Sequence, residues 1–314
     1  MRGLIGVGRL LCISDREVTF AERGFVSGSS GTREHLEAVA RSFVRGYNTG
    51  LLHPAGSHAA ELEGVPLIDR GFAYEGLAMS LALLDLLIPG RRRRWRTSIE
   101  SIGSDHIYMM PIGYGLALAR LRRRLRIPVK GLDPMRSALA ADGYGFHHGF
   151  FTRPDSSAHG QIPRRVTPEA RGLFDQGFGR ALWFVHCAAP EGLASFVGTL
   201  PTQRREGAWS GIGLAAAYAG GVSRPVLERL LELGREYAPS LGQGAAFAAE
   251  CRARAKNPAA HTDMACRVFC ELSAEDAAAT ARQASSGLSP DDLELYETWR
   301  SRLRRHFGER ELVQ

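Results

Sequence analysis

No stretch of this chain is both apolar enough and long enough to cross a membrane. The longest uncharged segment, Ala208 to Ser223, is rich in glycine and alanine and only moderately apolar. It falls short of the ~20 strongly apolar residues that a span requires. A targeting leader is not read either. The opening MRGLIGVGRLLCIS is broken by Arg9, and no small-x-small cleavage site follows. Cysteine is sparse: Cys12, Cys187, Cys251, Cys266 and Cys270 form an odd, scattered set. That is a poor disulfide framework and fits a reducing compartment, so a cytoplasmic location is expected. Cys266 and Cys270 share a helix face, yet only Cys251 and His261 lie near enough to complete a zinc set. They are read as small buried residues, and no metal site is expected.

The short strings that announce common chemistries are missing too. H-E-x-x-H, E-x-x-H and H-x-H do not occur, nor does the G-x-S-x-G elbow of serine hydrolases. Gly211-x-Gly213-x-x-Ala216 matches a dinucleotide-binding string, but the preceding TQRREGAWS is no buried strand. No helix-opening phosphate lysine makes a P-loop, so no cofactor is identified. The net charge of +7 has the sign for nucleic acid. Without a helix-turn-helix, zinc-finger or RNP-like string, nucleic acid is not an expected partner. The two basic runs, Arg91–Arg94 with Arg96 and RLRRRLR from Arg120 to Arg126, read as solvated faces or as a surface for an acidic protein.

What the chain does hold is an ordinary globular balance, 44% hydrophobic and 23% charged, at a length that buries a sizeable core. No linker divides it, so residues 1–314 are expected to form one domain. Glycine-opened apolar helices recur along it. RGFAYEGLAM and HIYMMPIGYGLALAR make a first helical-pair unit over 70–126; QGFGRALWFV and WSGIGLAAAYAGG make a second over 175–221. Both second halves carry G-x-G-L-A-x-A. QGAAFAAECRARAK starts a partial third unit over 242–271. Self-similarity of this kind points to stacked supersecondary units.

The predicted fold is mainly α: diverged helical pairs packed as a compact α-solenoid-like domain with at most a few short strands. Residues 1–30 are expected to be irregular, with a strand at Val18–Phe20. Helices are expected over 33–51, 71–88, 111–126, 133–141, 175–188, 190–199, 208–220, from Ser223, and over 242–256, 259–271 and 273–284. A final helix to about Phe307 is expected to be capped at Ser289-Pro290-Asp291-Asp292. A loop is expected over 52–69 and another over 152–168, a short strand at Ile107–Met110, and no regular element for the glycine- and aromatic-rich GYGFHHGFF.

Candidate functional groups are His106, the adjacent His147 and His148, His261, and Glu75 one turn into its helix. Imidazoles and a carboxylate together move protons near neutral pH. Tyr74, Tyr114, Trp183, Trp209 and Tyr218, with Arg180, are read as candidate substrate-binding residues of an elongated apolar pocket.

The strings RGFAYEGLAM, DHIYMMPIGYGLALAR, GYGFHHGFF, QGFGRALWFV, WSGIGLAAAYAGG, QGAAFAAECRARA and HTDMAC resemble a bacterial family of unknown-function proteins of this length. Its best-known members are the UnbL-type proteins encoded beside the iterative polyketide synthase of enediyne antibiotic clusters. The resemblance implies an accessory role on a polyene or polyketide intermediate, together with other cassette proteins or an acidic carrier domain. It implies no catalytic residue by position. Two readings follow: an enzyme or enzyme subunit acting on a polyene, and a non-catalytic helical-repeat scaffold that binds a polyene or its carrier protein.

Overall fold

The computed structural model describes residues 8–88, 94–101, 105–129, 132–289, 291, 292 and 294–311. Among these the chain is helical without a β-sheet, and one isolated bridge between Leu125 and Val166 is the nearest approach to a strand. The principal helices are α1 (Ser30–Leu52), α2 (His58–Glu63), α3 (Arg70–Leu87), α4 (Arg94–Ser101), α5 (Met109–Arg120), α6 (Pro134–Phe151) and α7 (Arg171–Val185). They continue as α8 (Pro190–Thr199), α9 (Thr202–Tyr218), α10 (Arg224–Leu233), α11 (Ala238–Arg254), α12 (Ala260–Phe269), α13 (Ala274–Ala284) and α14 (Leu295–Glu311). Their starts follow capping rules. Asp133 accepts from Arg136 N at 2.8 Å ahead of Pro134, and Ser273 accepts from Asp276 N at 3.1 Å.

Seven helices, α1, α3, α5, α6, α7, α9 and α11, stand side by side in chain order, each packed on the next. They run parallel. Gly207 of α9 faces Gly172 and Asp175 of α7, and four residues on, Gly211 faces Gln176 and Arg180. Advancing along one helix therefore advances along its neighbour. Glycine makes this spacing attainable. A β-carbon on Gly143 would collide with the Ile112 carbonyl of α5, and one on Gly145 with the Phe174 carbonyl of α7. The same two-sided contact recurs at Gly177 and Gly179, and at Gly211 and Gly213. Each G-x-G thus binds one helix to its predecessor through the first glycine and to its successor through the second. The ~1 kcal/mol that glycine costs inside a helix is offset by close packing. These helices are buried on most sides, as their mixed apolar surface requires; α3 is buried from Gly71 through Asp85.

The connectors α8, α10 and α12 pack on one another in the same order, each burying a narrow apolar face such as Leu227 and Leu230 of α10. The stack curls, so that its ends meet. Thr32 of α1 donates to Gly221 O at 2.9 Å, and Arg252 of α11 donates to Ile68 O just before α3 at 3.1 Å. Helix α14 packs on α11, α13 and α6.

The mainly α expectation holds. The stack is finer than the sequence units: residues 70–126 contain α3, α4 and α5, and 175–221 contain most of α7 together with α8 and α9. Several local expectations fail. Val18–Phe20 is no strand but the junction of a 3-10 turn (Asp15–Val18) and a helical turn (Phe20–Arg23). Glu17 Oε1 accepts from Ser14 N at 3.2 Å, and Thr19 Oγ1 accepts from Glu22 N at 3.3 Å. Ile107–Met110 is a turn running into α5 rather than a strand, because Pro111 fits the first turn of a helix that has already begun. The segment 52–69 contains α2 and two 3-10 turns. GYGFHHGFF is not irregular: it is the second half of α6, and its glycines are interhelical contacts. Helix α14 starts at Leu295, after Asp292 Oδ1 accepts from Glu294 N at 2.9 Å. Arg91–Arg93, Pro89-Gly90 and Pro290 lie outside the described residues.

Candidate functional site

Asp142, Gln176 and Ser210 recur at equal intervals, and each immediately precedes the first glycine of a G-x-G. Gln243 stands in the same relation to Gly244, and Glu75 to Gly76. In parallel helices held in register by those glycines, side chains at equivalent positions stack into a row. The row is hydrogen-bonded and buried. Gln176 Nε2 donates to Asp142 Oδ2 at 2.8 Å and to Tyr296 OH of α14 at 3.0 Å. The Ser210 hydroxyl donates to Gln243 Oε1 at 2.7 Å and lies 3.2 Å from Gln176 Oε1. Arg300 of α14 donates from Nε to Gln243 Oε1 at 3.3 Å and from Nη1 to the half-exposed Glu297 at 2.9 Å.

The other end of the row is charged. Arg180, one helical turn beyond Gln176, bonds to Asp142 through Nη1 and to Glu75 Oε2 through Nη2 at 3.3 Å. All three groups are at most 7% exposed. Two carboxylates therefore share one guanidinium in a buried site. Burial pushes the Glu75 pKa up to about 7, with Arg180 opposing and Asp142 reinforcing. For Arg180 burial acts in the opposite sense, but the two carboxylates outweigh it and hold its pKa above the usual arginine value. Glu75 is thus a carboxyl that exchanges its proton near neutrality.

Glu75 and Arg180 also form the polar end of a cavity lined by Phe43, Phe72, Phe146, Phe150 and Phe184. The Arg180 guanidinium lies 5.0 Å from the Phe146 ring centroid, a cation–π distance. The free space is about 30 Å³, enough for a water or two. Phe43 and Phe146 are only partly buried, so the wall thins on that side.

The remaining predicted residues are distributed around this centre. His106 stacks on Tyr74 with centroids 4.3 Å apart, and burial pushes its pKa down to about 4. His147 lies 4.7 Å from Phe151; burial, then Arg120, His148 and Arg23, push its pKa down to about 3. His148 Nε2 lies 3.2 Å from Ala158 O, and burial lowers its pKa. His261 Nε2 lies 3.1 Å from Tyr218 O, and burial followed by Arg252 brings its pKa down to about 4. None of these four imidazoles is among the residues lining the phenylalanine cavity.

Among the aromatics, Trp183 is fully buried and donates to Gly220 O at 3.0 Å. Trp209 stacks on Tyr237 and Tyr114 meets Trp95 edge-on. Tyr218 is buried under Arg252, 4.4 Å from its guanidinium, edge-on to the cavity residue Phe72 at 5.0 Å. Of the predicted residues, the structure brings Glu75 and Arg180 into one cavity and places Tyr218 beside it. Asp142, Gln176, Ser210, Gln243 and Tyr296 are absent from the sequence reading. Their signal is the polar residue before each recurring glycine pair. Among the described residues, no three His, Cys, Asp or Glu side chains assemble into a group that would hold a metal, and no helix is long and apolar enough to cross a membrane.

Fold and site together define an all-α protein of stacked parallel helices with a buried polar row ending at an aromatic cavity. The chain belongs to the family described as "Protein of unknown function (DUF1702)", whose model matches residues 7–307. No curated protein and no solved structure matches it.

Proposed function

We propose that this protein is an accessory factor of enediyne-type polyketide biosynthesis. It takes the linear polyene intermediate into the phenylalanine cavity, where Glu75 gives or accepts a proton. The observation that carries this reading is the pairing of a neutral-range carboxyl with a wall of aromatic rings. Aromatic faces suit a flat conjugated chain, and a carboxyl titrating near 7 is matched to acid–base work at ordinary pH. Entry of a chain displaces the partly exposed Phe43 and Phe146 side chains, since the resting cavity holds little more than water. The resemblance of the glycine-helix strings to UnbL-type proteins supplies the substrate class.

A non-catalytic reading, in which the protein holds the polyene or its carrier and passes it on, is favoured by two observations. None of the four imidazoles lines the cavity, and the arginines of residues 120–126 are exposed. One pair of measurements separates the two. Binding is followed by the fluorescence of the methyl ester of all-trans-parinaric acid, a neutral conjugated tetraene. Product formation is followed in a reconstitution with the synthase. Glu75→Gln retaining tetraene binding but losing product supports the enzyme; full product supports the carrier. Absence of tetraene binding by the parent protein overturns both.

A further inference from the structure

Beside the cavity residue Phe151 stands a group of arginines, two of them without an ion-paired carboxylate among the described residues. Phe151, one of the residues lining the cavity, carries the Arg23 guanidinium over its ring at 5.1 Å, and Arg23 Nη2 donates to Phe151 O at 2.9 Å. Arg153, two residues further on, reaches back to the same place: a β-carbon on Gly24 would lie 3.6 Å from its Nη2. Arg120, at the end of α5, acts through space on both Arg23 and His147, whose ring leans on Phe151. Among the described residues no carboxylate forms an ion pair with Arg23 or Arg120, and Arg153 has only the exposed Asp155 at 3.4 Å. The exposed Glu17 and Glu22 act on Arg23 more distantly, but burial and Arg153 outweigh them and its pKa is lowered.

A second observation is independent of charge. Arg23 Nε and His147 Nε2 are both buried without a hydrogen-bond partner. A guanidinium N–H is always a donor, so Arg23 Nε can take an acceptor oxygen there, whereas the neutral His147 ring can serve as donor or acceptor. The surrounding arginines favour a negatively charged acceptor.

We infer that the ligand of the phenylalanine cavity is an anionic amphiphile: its apolar chain enters among the rings, while a carboxylate or phosphate head stays at the mouth, held by Arg23, Arg153 and Arg120. This rests on the polyene reading of the cavity and adds the head group to it. The arrangement sorts a ligand into two ends. The inner end meets Glu75 paired with Arg180, which offers no free positive charge, so the anion remains outside and the chain's far end reaches the carboxyl.

The test uses the full chain in mildly alkaline buffer at low salt and three probes with the same conjugated tail: all-trans-parinarate, its methyl ester, and the phosphate monoester of the corresponding alcohol. Fluorescence titration is expected to show at least one anionic probe binding about tenfold more tightly than the ester, a preference that shrinks as salt rises. Whichever anion binds more tightly identifies the head as carboxylate or phosphate. Arg120→Gln and Arg153→Gln, both at exposed positions, are each expected to reduce the preference to about threefold or less, with ester affinity unchanged; Arg23→Gln, which also strips the cation from the Phe151 ring, is expected to reduce the preference likewise. Equal binding of ester and anions overturns the inference but leaves the polyene reading in place. So does an equal loss for ester and anion in the arginine variants. If no probe binds, the polyene reading itself fails, and this inference with it.

Discussion

Arg180 stands between Glu75 and Asp142, one buried guanidinium bonded to two buried carboxylates. The imbalance is resolved by a proton. With Glu75 protonated the cluster is neutral; with both acids ionised it holds an uncompensated negative charge away from water.

That relationship sets a pH dependence. The Glu75 pKa is raised in the folded chain, from an ordinary 4.5 to about 7. The folded state therefore holds a proton that the unfolded state gives up first. Its contribution to stability is complete below the ordinary value and is lost as pH rises through about 7. Thermal melts of the parent protein are expected to fall across that window relative to Glu75→Gln, which lacks the titrating group. Parallel curves for the two proteins would contradict the assignment.

Removing the cation is expected to be far worse than removing one acid. Arg180→Met leaves two carboxylates without a partner, with an expected loss of about 3–5 kcal/mol in urea denaturation. Combining it with Asp142→Asn is expected to recover a large part of that loss, because the residual acid is then the one that takes up a proton. Strict additivity of the two substitutions would show that they do not share one charge cluster.

The polar row is expected to be sensitive at its middle. Ser210→Ala removes the hydroxyl that donates to Gln243 Oε1 beside Gln176 Oε1. Gln243 Oε1 then keeps only the longer bond from Arg300 Nε at 3.3 Å, and the lost hydrogen bond costs about 0.5–1.5 kcal/mol. Guanidinium denaturation measures this directly, and a change below about 0.5 kcal/mol would show that the hydroxyl is not needed.

Glycine contacts supply a matched comparison. Gly177→Ala drives a methyl into the Asp142 carbonyl of the preceding helix, whereas the β-carbon of Gly172→Ala has nothing within 4 Å. The first is expected to lose about 1–3 kcal/mol through overpacking. The second is expected to be neutral or to gain up to about 1 kcal/mol from helix propensity. Equal effects in calorimetry would refute the close parallel approach of α6 and α7.

Filling the cavity is expected to block the ligand without touching Glu75 or Arg180. Ala40 lines the cavity on α1, and Ala40→Leu places three further carbons there. Tetraene methyl ester affinity is expected to drop about tenfold or more, in line with the 1–3 kcal/mol an overfilled site costs. Unchanged affinity would place the ligand elsewhere.

Much of this architecture is legible in residue order. Ser273, Pro190 and Ser223-x-Pro225 mark helix starts because capping and proline tolerance are local effects. The glycine-alanine strings announce close helix contact because no other residue type permits it. GYGFHHGFF misleads for the same reason that it matters: three glycines in a helix look like a break until the carbonyls of Ile112 and Phe174 and the side chains of Phe178 and Ala181 are seen to occupy the space their side chains would fill. The histidines mislead differently. Ionisable groups attract attention in a string of letters, yet His106, His148 and His261 are satisfied or stacked at separate places, while Asp142 and Gln176 carry no familiar motif.

Helicity, helix limits and the small-residue contacts follow from the order of residues, because propensity, capping and steric size act over a few neighbours. The direction in which the helices stack was decided only in three dimensions, as was the meeting of Glu75 with an arginine far along the chain. Those contacts come from register between parallel helices. No local rule links position 75 to position 180 until five glycine-spaced helices have packed between and around them.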